Sequence, residues 1–340
     1  MVLKRIRLER FTAFENLDLE LSPGVNVLVG ANATGKTHLM KVAYAACDIT
    51  KTQEDFAQKL LRVFLPSGRA LGRLVKRRHM SSRCVIEIYR ASQKIRLSFS
   101  NHAVKPESAT VNNHADWIKE PIEAVYIPVK EMLANAPGFR SLYAQREIHF
   151  EEIYVDILDR AYRPMLRGPL DQSRKKLLTT LQKAMEGKVG VKDEEFFLRS
   201  RQGNLEFSLL AEGLRKLGLL YLLIQNGTLL TGSVLFWDEP EANLNPKLFG
   251  VLMEILLKLQ RMGVQIFLAT HDYVILKELD LRKQNQDQVV FNALYQNPDT
   301  GTIHYHQASH YRDIHPNAIA ETFSDLYDRE VKRSFGVDRT

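Results

Sequence analysis

Val25-Asn26-Val27-Leu28-Val29 runs directly into Gly30-Ala31-Asn32-Ala33-Thr34-Gly35-Lys36-Thr37, a strand-like apolar run followed by a complete G-x-x-x-x-G-K-[ST] phosphate loop. Glycines at both ends let the backbone fold tightly enough to aim its N–H groups at a polyphosphate, and the helix that follows presents its positive dipole end to the same anions. On this reading Gly30, Ala31, Asn32, Ala33, Thr34, Gly35, Lys36, Thr37 and His38 surround the phosphates of ATP. Lys36 reaches the β- and γ-phosphates, and Thr37 offers its hydroxyl to Mg²⁺. Residues 38–46 are helix-prone, as the loop requires.

Two further apolar runs end in residues able to do chemistry. Val234-Leu235-Phe236-Trp237 delivers Asp238 and Glu239, and in open α/β sheets ligands bind at such carboxyl ends of strands. Asp238 is the candidate Mg²⁺ carboxylate. Glu239 is the candidate base for the water that attacks the γ-phosphate. About one βα unit later, the strand ending Leu268-Ala269-Thr270 places His271 beside the same ligand, where an imidazole bonds the γ-phosphate or orients the water. Continuous apolar runs of this kind mark strands buried on both faces of a parallel sheet.

The expected fold is therefore α/β: a mixed nucleotide-binding sheet with an antiparallel β subdomain and a helical lid inserted in it. Strands are predicted at 3–8 and 17–21, then a turn at Ser22-Pro23-Gly24, and a second hairpin at 84–89 and 95–99. Residues 50–80 read as a helical, basic insertion, and 131–204 as the helical lid, broken at Arg163-Pro164 and Gly168-Pro169. A hairpin at 196–200 and 205–209 leads into an apolar helix at 213–224. An ATPase domain then spans 1–280, and a C-terminal hairpin turning at 297–301 with an amphipathic helix at 318–331 packs on it as 281–340. His304 and His306 share a strand face, but no cysteine or paired carboxylate joins them, and an edge hairpin is the simpler reading.

With 340 residues, 45% of them hydrophobic, the chain has material for a substantial core. Two cysteines without metal-ligand spacing, an N-terminus interrupted by Lys4, Arg5 and Arg7, and no apolar run approaching the roughly 20 residues of a membrane span point to a cytoplasmic protein without a membrane partner. A net charge of +7 is compatible with a polyanionic partner without demanding one. Arg69, Arg73, Lys76, Arg77, Arg78, His79 and Arg83 occur without acidic neighbours. They read either as an arm facing DNA, RNA or a protein, or as a solvated face.

Together these motifs resemble the ATP-binding-cassette-type ATPases that include chromosome-maintenance and recombination proteins, and most closely their OLD-like (AAA_21-type) branch. The likeness is carried by residues 8–14 and 19–36, by Asp238-Glu239-Pro240-Glu241-Ala242-Asn243-Leu244-Asn245-Pro246, and by Ala269-Thr270-His271-Asp272. It implies a signature motif, for which Leu210-Ala211-Glu212-Gly213-Leu214-Arg215-Lys216 stands, and a head-to-tail homodimer or higher homo-oligomer. In that arrangement Ala211, Glu212 and Gly213 of one copy cap the γ-phosphate held by the other, because a helix N-terminus supplies N–H groups to an anion. The signature's usual serine is Ala211, Asn245 stands where many transporter ATPases carry aspartate, and residues 124–131 supply no glutamine to the loop where the family carries one. The same resemblance places the adenine near residues 11–14.

About 200 residues separate Thr37 from Asp238, too few for a long antiparallel coiled coil. The segment after His271 lacks the acidic cluster of a Toprim nuclease. The resemblance thus implies an ATPase that acts through a separately encoded effector, a nuclease or toxin, in antiphage defence. Ser22-Pro23-Gly24 and Val29-Gly30-Ala31-Asn32 are also similar to the RecF family, which implies instead a DNA-repair ATPase that clamps on DNA.

Overall fold

The computed structural model describes residues 2–77, 80–145 and 148–335. Arg78 and His79 of the basic segment lie outside the described residues. Alternating burial makes a hairpin of β1 (Leu3–Phe11) and β2 (Phe14–Glu20). β3 (Val25–Val29), buried at all five positions, leads through the phosphate loop into α1 (Lys36–Thr52). That helix outruns the predicted 38–46 because Cys47, Asp48, Ile49 and Thr50 continue to bury beneath the sheet. It stops at Gln53, whose left-handed backbone returns its N–H to the Ile49 carbonyl.

The basic insertion does not project as an arm where it is described. α2 (Phe56–Phe64), capped by the Asp55 side chain, buries Phe56, Leu60, Leu61 and Val63. Leu71, Leu74 and Val75 then pin the following turns to the core, and Lys76 Nζ donates to the Ala13 carbonyl at 2.9 Å. β4 (Arg83–Arg90), β5 (Gln93–Ser100) and β6 (Thr110–Asn112) complete an antiparallel sheet in the order β2-β1-β4-β5-β6.

After α3 (His114–Trp117) and β7 (Ala124–Ile127) come α4 (Phe139–Ala144), α5 (Ile153–Ala161) and α6 (Gln172–Met185). The segment expected as a helical lid then turns to strands. β8 (Gly187–Lys192), β9 (Glu195–Ser200) and β10 (Gly203–Glu206) form a three-stranded sheet. The second arm of the predicted hairpin breaks after Glu206, because Phe207 turns into the core beside Phe196, with ring centroids 5.9 Å apart.

α7 (Glu212–Gln225), β11 (Val234–Asp238), α8 (Phe249–Arg261), β12 (Gln265–Thr270) and α9 (Tyr273–Arg282) return the chain to the nucleotide fold. β13 (Val289–Gln296), β14 (Ile303–Ala308) and α10 (Ala318–Ser334) end it. The central sheet runs β14-β13-β3-β12-β11-β7, parallel except at β14. The C-terminal hairpin is thus part of this sheet rather than packed on it: β13 pairs with the phosphate-loop strand from Val289–Val25 to Ala293–Val29. Val27, Trp237 and Leu268 face a core shared with α7 and α8. On the other face, Leu28, Phe236 and Phe267 join α1 and the antiparallel sheet.

Candidate nucleotide-binding site

Parallel register aligns Val29 with Thr270 and Asp238 with Ala269, so three strand ends meet at one edge. Gly35 caps α1 at φ 92°, and a β-carbon there would fall 2.6 Å from the Phe14 ring. Only glycine suits that turn. Lys36 Nζ folds back onto the loop, donating to the carbonyls of Gly30 at 2.6 Å and Ala31 at 2.9 Å. Burial draws the ammonium below its ordinary range against the opposing pull of Asp238, Glu239 and Glu241. Ala13, Asn32, Ala33, Thr34, Gly35, Lys36, Thr37, His38 and Glu239 line a pocket of about 290 Å³.

Asp238 is buried and hydrogen-bonded to both Thr37 and Tyr126, whose hydroxyl donates to Oδ2 at 3.1 Å. Burial raises the carboxyl above its usual range, and the two hydroxyls oppose that rise. Glu239, by contrast, is turned into the pocket by a left-handed backbone at φ 46°. Its Oε1 lies 3.4 Å from His271 Nδ1, which is also 3.9 Å from Glu241 Oε1. Glu241 accepts from the Thr270 hydroxyl at 2.7 Å and the His271 amide at 3.3 Å, bracing the strand end that carries the imidazole.

Glu241, Tyr126 and Lys216 belong to this site; Glu241 and Lys216 stand within the runs that carry the resemblance, but none of the three had a role assigned from sequence. Lys216 Nζ donates to the Ala242 carbonyl at 2.7 Å and reaches that of Glu239 at 3.5 Å. The Asn243 amide donates to Glu212 at 2.9 Å. Gly213 sits so close to the same turn that a β-carbon would lie 2.6 Å from the Asn243 carbonyl oxygen. The start of α7 is therefore seated on the turn after β11, and Ala211, Glu212 and Gly213 are not among the residues lining the phosphate-loop pocket of their own chain.

The structure adds detail at two of the expected positions. His38 lines the pocket, but its ring packs against Phe64, and burial, helped by Lys41, pushes it down to about 4. The imidazole that lines the pocket is therefore neutral near pH 7. Phe11 and Phe14 are fully buried, and within residues 11–14 only Thr12 and Ala13 keep partial exposure, Ala13 at the pocket.

Residues 25–277, well over half of the chain, match the AAA_21 family model, described as "AAA domain, putative AbiEii toxin, Type IV TA system". The chain belongs to the AAA_21 family. This AAA_21 chain is 27% identical over 149 residues to the DNA replication and repair protein RecF of Clostridium botulinum, covering 44% of the chain and 39% of that protein. It is 30% identical over 160 residues to the protein of the same name from Listeria welshimeri, covering 46% and 40%. The chain thus spans less than half the length of these curated relatives. Among solved structures, it resembles an SMC head bound to the C-terminal winged-helix domain of ScpA, with a TM-score of 0.56 at 11% identity over 92% of this chain and 99% of that one. An SMC head with an extended coiled coil bound to the C-terminal domain of ScpA, derived from Pyrococcus furiosus, gives a TM-score of 0.50 at 8% identity over 96% and 99%. At such identities the likeness is one of fold, and the fold is that of an ABC-type P-loop ATPase head.

Proposed function

We propose that the chain binds Mg-ATP, hydrolyses it, and uses the ATP-bound head-to-tail dimer to control a separately encoded effector in the cytoplasm, a nuclease or toxin of an antiphage system. The observation that carries this reading is the convergence of Lys36, the Thr37–Asp238 pair and the Glu239–His271 pair at one sheet edge. Hard oxygen donors, one hydroxyl and one buried carboxylate, fit Mg²⁺. When bound, that ion neutralises charge on the β- and γ-phosphate oxygens. Lys36 exchanges the Gly30 and Ala31 carbonyls for phosphate oxygens, and Glu239 accepts the proton of the attacking water. His271 holds Glu239 or the water in place. The second copy supplies Ala211, Glu212 and Gly213 over the γ-phosphate.

Removing the ammonium tests the core of this reading. Lys36→Ala is expected to abolish fluorescent-ATP binding and phosphate release while leaving the melting temperature of the nucleotide-free protein near wild type. Unaltered turnover by Lys36→Ala contradicts the assignment. The similarity to RecF favours one alternative, an ATPase that clamps on DNA through the basic segment at residues 69–83.

A further inference from the structure

β7 and β11 pair in parallel with Tyr126 opposite Phe236 and Ile127 opposite Trp237. Alternate residues of a strand share a face, so Tyr126, Phe236 and Asp238 look toward the same side of the sheet, the side covered by α1. Tyr126 is fully buried there, and its hydroxyl donates to Asp238 Oδ2 at 3.1 Å. The ring is held on two sides. Phe236 lies nearly parallel to it with centroids 6.4 Å apart, and Tyr44 of α1 meets it edge-on at 5.6 Å. The Tyr44 hydroxyl belongs to a separate polar network, donating at 2.6 Å to Asp156, which also takes a bond from Lys59 at 2.9 Å.

A carboxylate is free to spin about its last bond unless something holds it. The clamped phenol supplies that hold from the core side, while Thr37 bonds the same carboxylate from the phosphate loop. We infer that Tyr126 is a positioning residue for the divalent cation: by fixing Oδ2 of Asp238 it sets the direction in which Oδ1 is offered to the metal beside Thr37. This inference rests on the Mg-ATP reading above. Without the O–H, Oδ2 loses its donor on the core side, the Thr37 bond alone remains, and the carboxylate is free to rotate out of the metal-facing orientation.

The test uses the full chain, Mn²⁺ as a paramagnetic substitute for Mg²⁺, and a non-hydrolysable ATP analogue, with bound Mn²⁺ read by electron paramagnetic resonance. Tyr126→Phe is expected to weaken nucleotide-dependent Mn²⁺ binding about tenfold, the scale of one hydrogen bond to a charged acceptor. Binding of the analogue in EDTA should stay unchanged. Tyr44→Phe removes a hydroxyl from the same aromatic cluster without touching Asp238, and is expected to lower the melting temperature while leaving Mn²⁺ affinity at the wild-type value. Para-aminophenylalanine at 126, which keeps a ring and a donor, should restore most of the lost affinity. Should Tyr126→Phe not fold, para-fluorophenylalanine at 126 fills the hydroxyl's space without an O–H and carries the same expectation. Wild-type Mn²⁺ affinity in the donor-less variant, or equal losses in the Tyr44 and Tyr126 variants, overturns the inference. Absence of nucleotide-dependent Mn²⁺ binding in the wild type overturns the Mg-ATP reading itself, and is seen before any variant is made.

Discussion

Glu239 holds a left-handed backbone at φ 46° although it has a side chain, a conformation that costs about 1–3 kcal/mol and persists only where surroundings enforce it. Here its amide donates to the Ala269 carbonyl at 2.9 Å while Lys216 reaches its own carbonyl. The result is a carboxylate directed away from the strand line and into the pocket. Glu239→Gln keeps the shape and the hydrogen-bonding reach but removes the base. ATP should still bind, hydrolysis should fall about 10²-fold or more, and light scattering with chromatography should show a dimer that persists with ATP. Wild-type turnover by this variant sinks the assignment of the base. Asp238, Glu239 and His271 were legible in the sequence because each stands at the end of an apolar run, where local pattern alone gives position. Tyr126 was not, since its partner lies 112 residues away and only the pairing of β7 with β11 joins them. Lys216 was hidden for the same reason, its carbonyl partners belonging to a turn 23 and 26 residues downstream.

Among elements, α1, α2 and α5 are tied by buried charge. Lys59, with no exposed surface, sits 2.6 Å from Asp48, 2.9 Å from Asp156 and 3.3 Å from Glu152. Arg160 pairs with Asp48 and, at 3.4 Å, with Glu123. Residues 50–80 read from sequence as a helical, basic insertion, in which a lysine passes for solvated, and only the junction of α2 with α1 and α5 explains why this one is not. β8 escaped for the opposite reason: its six residues carry only two apolar side chains, Val189 and Val191, of which Val189 alone is buried, too short a signal to mark a strand. Lys59→Met should destabilise the fold by about 3–5 kcal/mol, because it leaves buried carboxylates without their cation; chemical denaturation measures it. The network also has a pH signature. Burial opposes ionisation of Asp48, yet Arg160 and then Lys59 outweigh it and hold the carboxyl below its usual range. A depressed folded-state pKa gives stability that is present above the unfolded value, near 3.9, and is lost as pH falls through the lower folded one. The stability advantage of wild type over Asp48→Asn should therefore be constant near neutrality and shrink below about pH 4. An advantage that stays undiminished at low pH contradicts this account.

At the scale of the whole molecule, the phosphate-loop pocket is bounded by Ala13, and Lys76 of the basic segment bonds that same residue's carbonyl. The turn at Ala13 thereby joins the phosphate-loop pocket to the segment that carries the exposed arginines Arg69, Arg73, Arg77 and Arg83. A clamp on duplex DNA that depends on ATP needs such a junction, because a dimer closed by ATP brings two basic segments into one fixed relation. An ATPase that signals only to a protein effector has no use for phosphate contacts there. The two readings separate by salt. If the four arginines of each copy meet phosphates, the logarithm of DNA affinity should fall with the logarithm of salt concentration at a slope of about −3.6 per copy, from roughly −0.9 per phosphate. The slope should approach half of that for one copy when Arg73 and Arg77 are changed to Gln, and retention of duplex on filters should require ATP and be lost in Lys36→Ala. Binding that is weak, independent of ATP and indifferent to Arg73→Gln and Arg77→Gln would leave the basic segment as a solvated face and exclude the DNA clamp, with the dimer and its effector as the remaining output of hydrolysis.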